Sequence, residues 1–511
     1  MRVWLLTVIV ACADPKPSPP IACDPDACAA LGQLCDQDAC VDPWRYGSPA
    51  WSTCPDEPRA TPESLAVKAA GYDARLAALH VSPQMPWTLD VAIAAGVDPE
   101  TATAADVTAW RSGENDGLWN GLEIAAQAYR FSVTHDPAAR AILATLLDGE
   151  RTRMRITGVP GLLVRQLIPP GVTGLACPTD PAMYVPSPTK TSNVWVRIGS
   201  DGCAQTSDGT SFQSSSHCGL DEFAGWCFLD NISQDEYVGH IFGLGAVARV
   251  VDDAELHAIA TDLLDQIAAH LAQHQMEFVD WDGRATEYGK LFPDAGGDSP
   301  GYLAVLGLSV VATAGDTQSF AQLAPSYESR LGEIDVWFGG DGCTSNWNDL
   351  SMLAASFHQL IWNDHDADRA SLQAVFASSL VAQPRGIANE HDAWYDIMWA
   401  AQKPLGPGTD GPAFDAVEDA VCQLRQFPRS NHAVAHDTTA LAPESCTGRQ
   451  TESLAAEPFG VADRCAATYV WWGNPYIRTT CTADPTLVQQ PAGYLLPYWM
   501  ARYYGFITAD Q

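Results

Sequence analysis

One pattern recurs along this chain and constrains its fold more than any other: an amphipathic helix, a short turn carrying Asp, and a second helix. Leu118, Leu122, Ala125, Ala126 and Tyr129 fall three and four residues apart and mark one buried helical face. That helix is expected to end at Thr134-His135-Asp136, with Pro137 opening the next helix at a position where its missing N–H is no loss. The pattern returns at Val251-Asp252-Asp253, between a helix from about Glu236 and another ending near His274. It returns again at Ala314-Gly315-Asp316 after the helix from Tyr302. A fourth instance, Asn363-Asp364-His365-Asp366, lies between the helix from Leu350 and one ending near Val381. Each Asp is placed to cap the helix that follows it. Short connections make antiparallel pairs, and further helices at both ends point to a mostly α body, an α/α toroid spanning 61–511.

The stretch 177–227 departs from this pattern. It is rich in Gly, Ser, Thr and Pro, carries four cysteines, and contains one β-like run, Val194-Trp195-Val196-Arg197-Ile198. It reads as a disulfide-tied insertion over one end of the ring. The 511 residues are 47% apolar and 18% charged, a globular composition. Lys and Arg total 28 against 62 Asp and Glu, a formal charge of −34. Such a surface repels phosphate backbones, which argues against nucleic acid as a partner. The sequence has no P-loop, H-E-x-x-H or G-x-S-x-G motif, which argues against ATP, zincin and α/β-hydrolase chemistry.

Fifteen cysteines suit an oxidising compartment. The chain opens Met1-Arg2, then an apolar run from Val3 to Ala11, too short for a bilayer and suited to a signal peptide. The run ends Ile9-Val10-Ala11-Cys12, which resembles the lipobox of bacterial lipoproteins. That resemblance implies lipidation of Cys12, a membrane anchor, and an address at the outer membrane or cell surface. With Cys12 set aside, fourteen cysteines remain, a number that can pair fully; a zinc site is the rival reading. Residues 1–12 are thus assigned to the signal and its lipidated cysteine. Residues 13–60 form a Pro-rich tether and a stalk around Cys23, Cys28, Cys35 and Cys40.

A set of ordered blocks carries a second resemblance. They are Asn115-Asp116-Gly117-Leu118-Trp119, Thr157-Gly158-Val159-Pro160-Gly161, Asp235-Glu236-Tyr237-Val238-Gly239-His240, Val279-Asp280-Trp281-Asp282-Gly283 and Asn346-Trp347-Asn348-Asp349-Leu350. Trp472-Gly473-Asn474-Pro475 and Leu495-Leu496-Pro497-Tyr498-Trp499 complete them. Together they resemble a group of exported bacterial proteins with a six-hairpin, glycosidase-like toroid, over about 110–507. The resemblance implies a six-hairpin fold and names no activity, since fold does not imply function. Relatives carry Trp where Tyr288 stands and a second acid where Asn348 stands.

Glycoside hydrolysis needs two carboxyl groups across the scissile bond. The candidate catalytic residues are Asp116, Asp235, Glu236, His240 and Asp282. Asp235 and Glu236 start a helix, with His240 about one turn on, an arrangement suited to acid, base and orienter or equally to a cap with a packed histidine. Asp116 and Asp349 are caps on the plainer reading. Trp119, Trp281, Trp347, Asp349 and Trp472 are candidate substrate-binding residues, the tryptophans as rings on which sugars stack. Glu390, His391 and Asp392 lie close in sequence as a weaker set. No cofactor is indicated, although calcium would suit the oxygens around Asp230-Asn231 and Asp341-Gly342. Two functions fit: a cell-surface glycoside hydrolase or polysaccharide lyase acting on a polysaccharide or oligosaccharide, or a non-catalytic glycan-binding or scaffold lipoprotein.

Overall fold

The computed structural model describes a short antiparallel hairpin, Leu34–Asp36 paired with Ala39–Val41, and residues 62–509 apart from 339–343, 364–365, 382–385, 388–389, 403–412, 440–453, 456–457, 466–472 and 479. The hairpin belongs to a small unit with residues 1–43. Everything that follows concerns the larger unit.

Twelve α-helices are described in that unit. They are α1 (Leu65–Arg75), α2 (Asp116–Thr134), α3 (Pro137–Arg155), α4 (Gln234–Val250), α5 (Ala254–Gln273) and α6 (Pro300–Thr313), followed by α7 (Thr317–Glu328), α8 (Trp347–Asn363), α9 (Asp366–Phe376), α10 (Ala393–Ala400), α11 (Ala413–Gln426) and α12 (Ala492–Tyr503). The turns between them follow the expected chemistry. Asp136 accepts the Ala138 N–H at 2.9 Å, Asp253 those of Glu255 and Leu256 at 3.1 Å, and Asp316 that of Ser319 at 2.9 Å. His135 closes α2 in the left-handed region, at φ 51°. The fourth expected cap, around Asp364 and His365, lies outside the described residues.

The even-numbered helices close a ring. α2 packs on α4, α4 on α6, α6 on α8, α8 on α10, α10 on α12, and α12 returns to α2. Each has an outer partner. Five hairpins pair α2 with α3, α4 with α5, α6 with α7, α8 with α9 and α10 with α11, and the sixth pair joins α12 to α1 from the far end of the chain. The body is therefore a mostly α, six-hairpin toroid. The inner helices are buried on nearly all sides, which is why α4 and α6 read as apolar with small residues rather than as one stripe. Tyr129, Phe242, Phe357, Trp394 and Trp399 fill the space between the helices.

The insertion forms a five-stranded antiparallel sheet in the order Gln166–Ile168, Cys227–Leu229, Trp195–Ile198, Cys203–Ser207, Phe212–Cys218. Disulfides join Cys177 to Cys227 and Cys203 to Cys218, and a third joins Cys465 to Cys481. At the C-terminal end of the inner helices Arg249 donates to the Tyr129 hydroxyl at 2.6 Å and to Gln359 at 3.3 Å, and His358 lies 3.2 Å from the Tyr504 hydroxyl. This polar cluster ties the ring together there. The opposite end holds the cavity.

Candidate functional site

The starts of α2, α4, α6 and α8 all reach one cavity of about 530 Å³. Glu114 and Asn115 precede α2, Ser233, Gln234 and Asp235 open α4, Asp298 stands two residues before α6, and Asn346, Asn348 and Asp349 open α8. Thr191, Asn193, Glu287 and Tyr288 complete one wall. The helix starts bring polar residues here for a local reason. The first N–H groups of a helix lack partners within it, so Asp, Asn and Ser side chains collect around them.

Asp349 sits at the first turn of α8 and accepts from the Asn346 side chain at 2.7 Å. Burial pushes its carboxyl up to about 7, and the nearby Asp298 carboxylate adds to the shift. Asp235 takes the Ser233 hydroxyl, and the Gln234 amide donates to Asp298 at 2.9 Å. The lining therefore carries five carboxyl groups, Glu114, Asp235, Glu287, Asp298 and Asp349, and Arg165 is the cation on it among the described residues. Arg165 donates to the Asn231 carbonyl at 2.8 Å and to Asn115 at 3.0 Å. Tyr288 is 55% exposed and faces the same space.

Of the described candidate catalytic and substrate-binding residues, Asp235 and Asp349 stand on this cavity and the others do not; Tyr288 and Asn348, where the sequence departs from the proteins it resembles, line it too. Glu236 and His240 are fully buried beneath it. Glu236 on α4 accepts the Leu118 N–H at 2.9 Å and so caps α2, whose own N-cap residue Asn115 makes no side-chain capping bond. His240 lies 2.5 Å from Glu150, and Glu150 takes the Asn120 amide at 2.5 Å. Burial pushes the Glu236 carboxyl well above the usual carboxylate range. Gly117 allows this packing, since a Cβ there would lie 2.4 Å from both Glu236 and His240. Glu236 and His240, with Glu150, thus form a buried brace between α2, α3 and α4, correcting the placement of those two candidates at the mouth, while Asp235 remains on the cavity. Asp116 is buried too. It takes the Ser112 hydroxyl and the Gly113 N–H at 2.8 Å, and burial pushes it up to about 7.

Asp282 is held by Arg284 at 2.5 Å and by Lys190 at 3.4 Å. Burial pulls its carboxyl upward, but these cations overcome that and leave it below its ordinary value. Lys190 is itself buried and also meets Asp230 at 2.5 Å and Asp280 at 2.8 Å. Asp282, a candidate catalytic residue from the sequence, instead belongs with Asp280 to a clamp that fixes the insertion to the body, because a buried ammonium needs every carboxylate it can reach. The same clamp takes Asp230 from the candidate calcium site, while Asp341-Gly342 lies outside the described residues. No group of His, Cys, Asp and Glu among the described residues is arranged to hold a metal.

Trp119 and Trp347 are buried, and Trp281 packs edge-on against Phe228 and His217. These rings are core, correcting their assignment to sugar stacking; Trp472 and Cys12 lie outside the described residues. Glu390, His391 and Asp392 are buried in a separate cluster, where Arg464 donates to Asp392 at 2.8 Å and His391 meets Asp419 at 3.1 Å. Glu114, Arg165, Glu287 and Asp298 escaped the sequence reading. For Asp298 the signal was present, since Asp298-Ser299-Pro300 is a helix-start pattern.

No known protein family matches the chain, and no curated protein does. Among solved structures the chain is similar to the cellulase Cel9M of C. cellulolyticum, at 10% identity and a TM-score of 0.37, over 86% of this chain and 99% of that one. It is similar to a Bacteroides ovatus GH9 structure at 9% identity and a TM-score of 0.35, over 86% and 82%. It is also similar to endoglucanase CelQ from Clostridium thermocellum, solved with cellotetraose, at 10% identity and a TM-score of 0.37, over 86% and 69%. At that distance the likeness transfers neither a substrate nor a catalytic residue.

Proposed function

We propose that this chain is an exported, lipid-anchored glycoside hydrolase, acting on a polysaccharide or oligosaccharide at the cell surface, with Asp349 as general acid and Asp235 as its carboxylate partner. The observation that carries the reading is the raised Asp349 carboxyl, pushed up to about 7 inside an open cavity that also holds Asp235. A pair of carboxyl groups in unlike environments divides acid and base roles between them. In the reaction Asp349 gives its proton to the glycosidic oxygen as the C1–O bond breaks. Asp235 takes a proton from the water that attacks C1, or bonds to C1 first, according to the space between the two groups. The acidic lining favours hydrolase over lyase chemistry, because a lyase must neutralise a uronate.

Asp349→Asn and Asp235→Asn are each expected to lower kcat at least about 100-fold on an identified glycan, with the fold unchanged by circular dichroism. The wild-type rate is expected to fall as pH rises through about 7, where Asp349 loses its proton. Full turnover by both variants would remove them from the chemistry. Asn348 on the cavity wall, where relatives carry an acid, favours the second reading, a glycan-binding lipoprotein without catalysis. Under it, glycan binding survives both substitutions and no bond is cleaved by the wild type.

A further inference from the structure

We infer that the sugar seated in this cavity carries a protonated amine, with Tyr288 stacked against its ring. The inference rests on the glycan reading above and adds the charge of the substrate to it. Two observations converge. Besides the proton-bearing Asp349, the lining offers four carboxyl groups against Arg165, and the arginine is already engaged by the Asn231 carbonyl and the Asn115 side chain. The four helix starts oppose this with about half a positive charge each, which offsets only part of the acidic lining. Tyr288 stands on the same lining with 55% of its surface exposed, beside Glu287. An aromatic face flanked by carboxylates suits an ammonium-bearing ring, since the ring quadrupole and the carboxylates attract the same charge.

Asp298 is the residue most committed to charge recognition. Its carboxylate helps push the Asp349 carboxyl up, and it is held in place by the Gln234 amide. A uronate would add a further negative charge beside Asp298 and Asp235, and an N-acetyl group would remove the positive one. The polar amides of Asn193, Asn346 and Asn348 remain to meet hydroxyl groups of whichever sugar enters.

The test uses the full chain and the methyl glycosides of glucosamine, N-acetylglucosamine, glucose and glucuronate, with binding read by ligand-observed NMR and calorimetry; single sugars leave linkage out of the comparison. The glucosamine glycoside is expected to bind about tenfold more tightly than the glucose one, and the gap to narrow as salt is added. Asp298→Asn is expected to abolish that preference, with the glucosamine glycoside bound no more tightly than the glucose one, and Tyr288→Ala to weaken every ligand. Equal or tighter binding of the N-acetyl or uronate ligand overturns the inference and leaves the glycan reading standing. Binding of no sugar here, and of none in a broad oligosaccharide array, removes the glycan reading together with this one.

Discussion

Among single residues, Asp396 on α10 carries the sharpest physical consequence. It is fully buried, and neither carboxylate oxygen has a hydrogen-bond partner among the described residues. Burial drives its carboxyl well above the ordinary value, the Asp419, Asp392 and Glu390 carboxyls push the same way, and Arg464 opposes them. Glu390 is raised for the same main reason. A carboxyl raised in the folded state binds its proton more tightly there than in the unfolded chain. Between the ordinary carboxylate value and the raised one, the folded state holds more protons, so stability falls as pH rises. Asp396→Asn keeps the shape without the titration. Thermal melting measured from pH 5 to 8 is expected to fall with pH in the wild type and to fall less steeply in Asp396→Asn, where Glu390 and the other raised carboxyls still titrate; parallel curves would mean Asp396 does not contribute to the trend. The same issue of burial explains what the sequence could tell at this scale. The spacing of Glu236 and His240 correctly placed them near each other, with 4.0 Å between them. Spacing cannot say whether a helix face looks at solvent or at another helix, and in a ring of inner helices nearly every face meets a neighbour. Asp235, one residue earlier, points to the cavity.

At the scale of elements, the contact between α2 and α4 sets the geometry beneath the mouth. A Cβ on Gly121 would lie 2.0 Å from the Gly239 carbonyl oxygen, and one on Gly243 would lie 2.3 Å from that of Gly121. The two backbones touch, as only glycine permits. Gly121→Ala must push the helices apart, and overpacking of this kind costs about 1–3 kcal/mol. Denaturant unfolding is expected to show that loss; a variant as stable as wild type would mean that the contact is slack. The helical hairpins were legible in the sequence because their turns use Asp caps and their helices are long. The pair α10 and α11 was not, because α10 is only 8 residues long and its surroundings are rich in buried acids. Pro497 inside α12 likewise disguises a helix that is buried along nearly its whole length.

At the scale of the whole molecule, the ring places its helix starts at one end and a polar clasp at the other, and the insertion is fixed near the mouth by Lys190 and its three carboxylates. The toroid was legible as a class from the repeated hairpins, but its closure was not, because no local pattern announces that a last helix will pair with a first. The proposed lipid anchor makes the address of the molecule depend on Cys12. In cell fractionation the wild type is expected in the membrane fraction and Cys12→Ser in the soluble fraction, since the acyl chains supply about 0.8 kcal/mol per buried methylene. Identical fractionation of the two would end the lipid-anchor reading.

The sixth pair sets a condition of its own on assembly. α1 is held by what comes last: Lys68 donates to the carbonyls of Leu424, Arg425 and Phe427, and the Tyr494 hydroxyl reaches the Leu65 carbonyl at 3.0 Å. Contacts that span more than 350 residues form late in any chain made from its N-terminus, and such long loops slow folding. The first helix therefore waits, its partner not yet synthesised, until nearly the entire body has emerged. A ring fastened by its two ends has no intermediate size: it is either shut or still open along a seam beside α2.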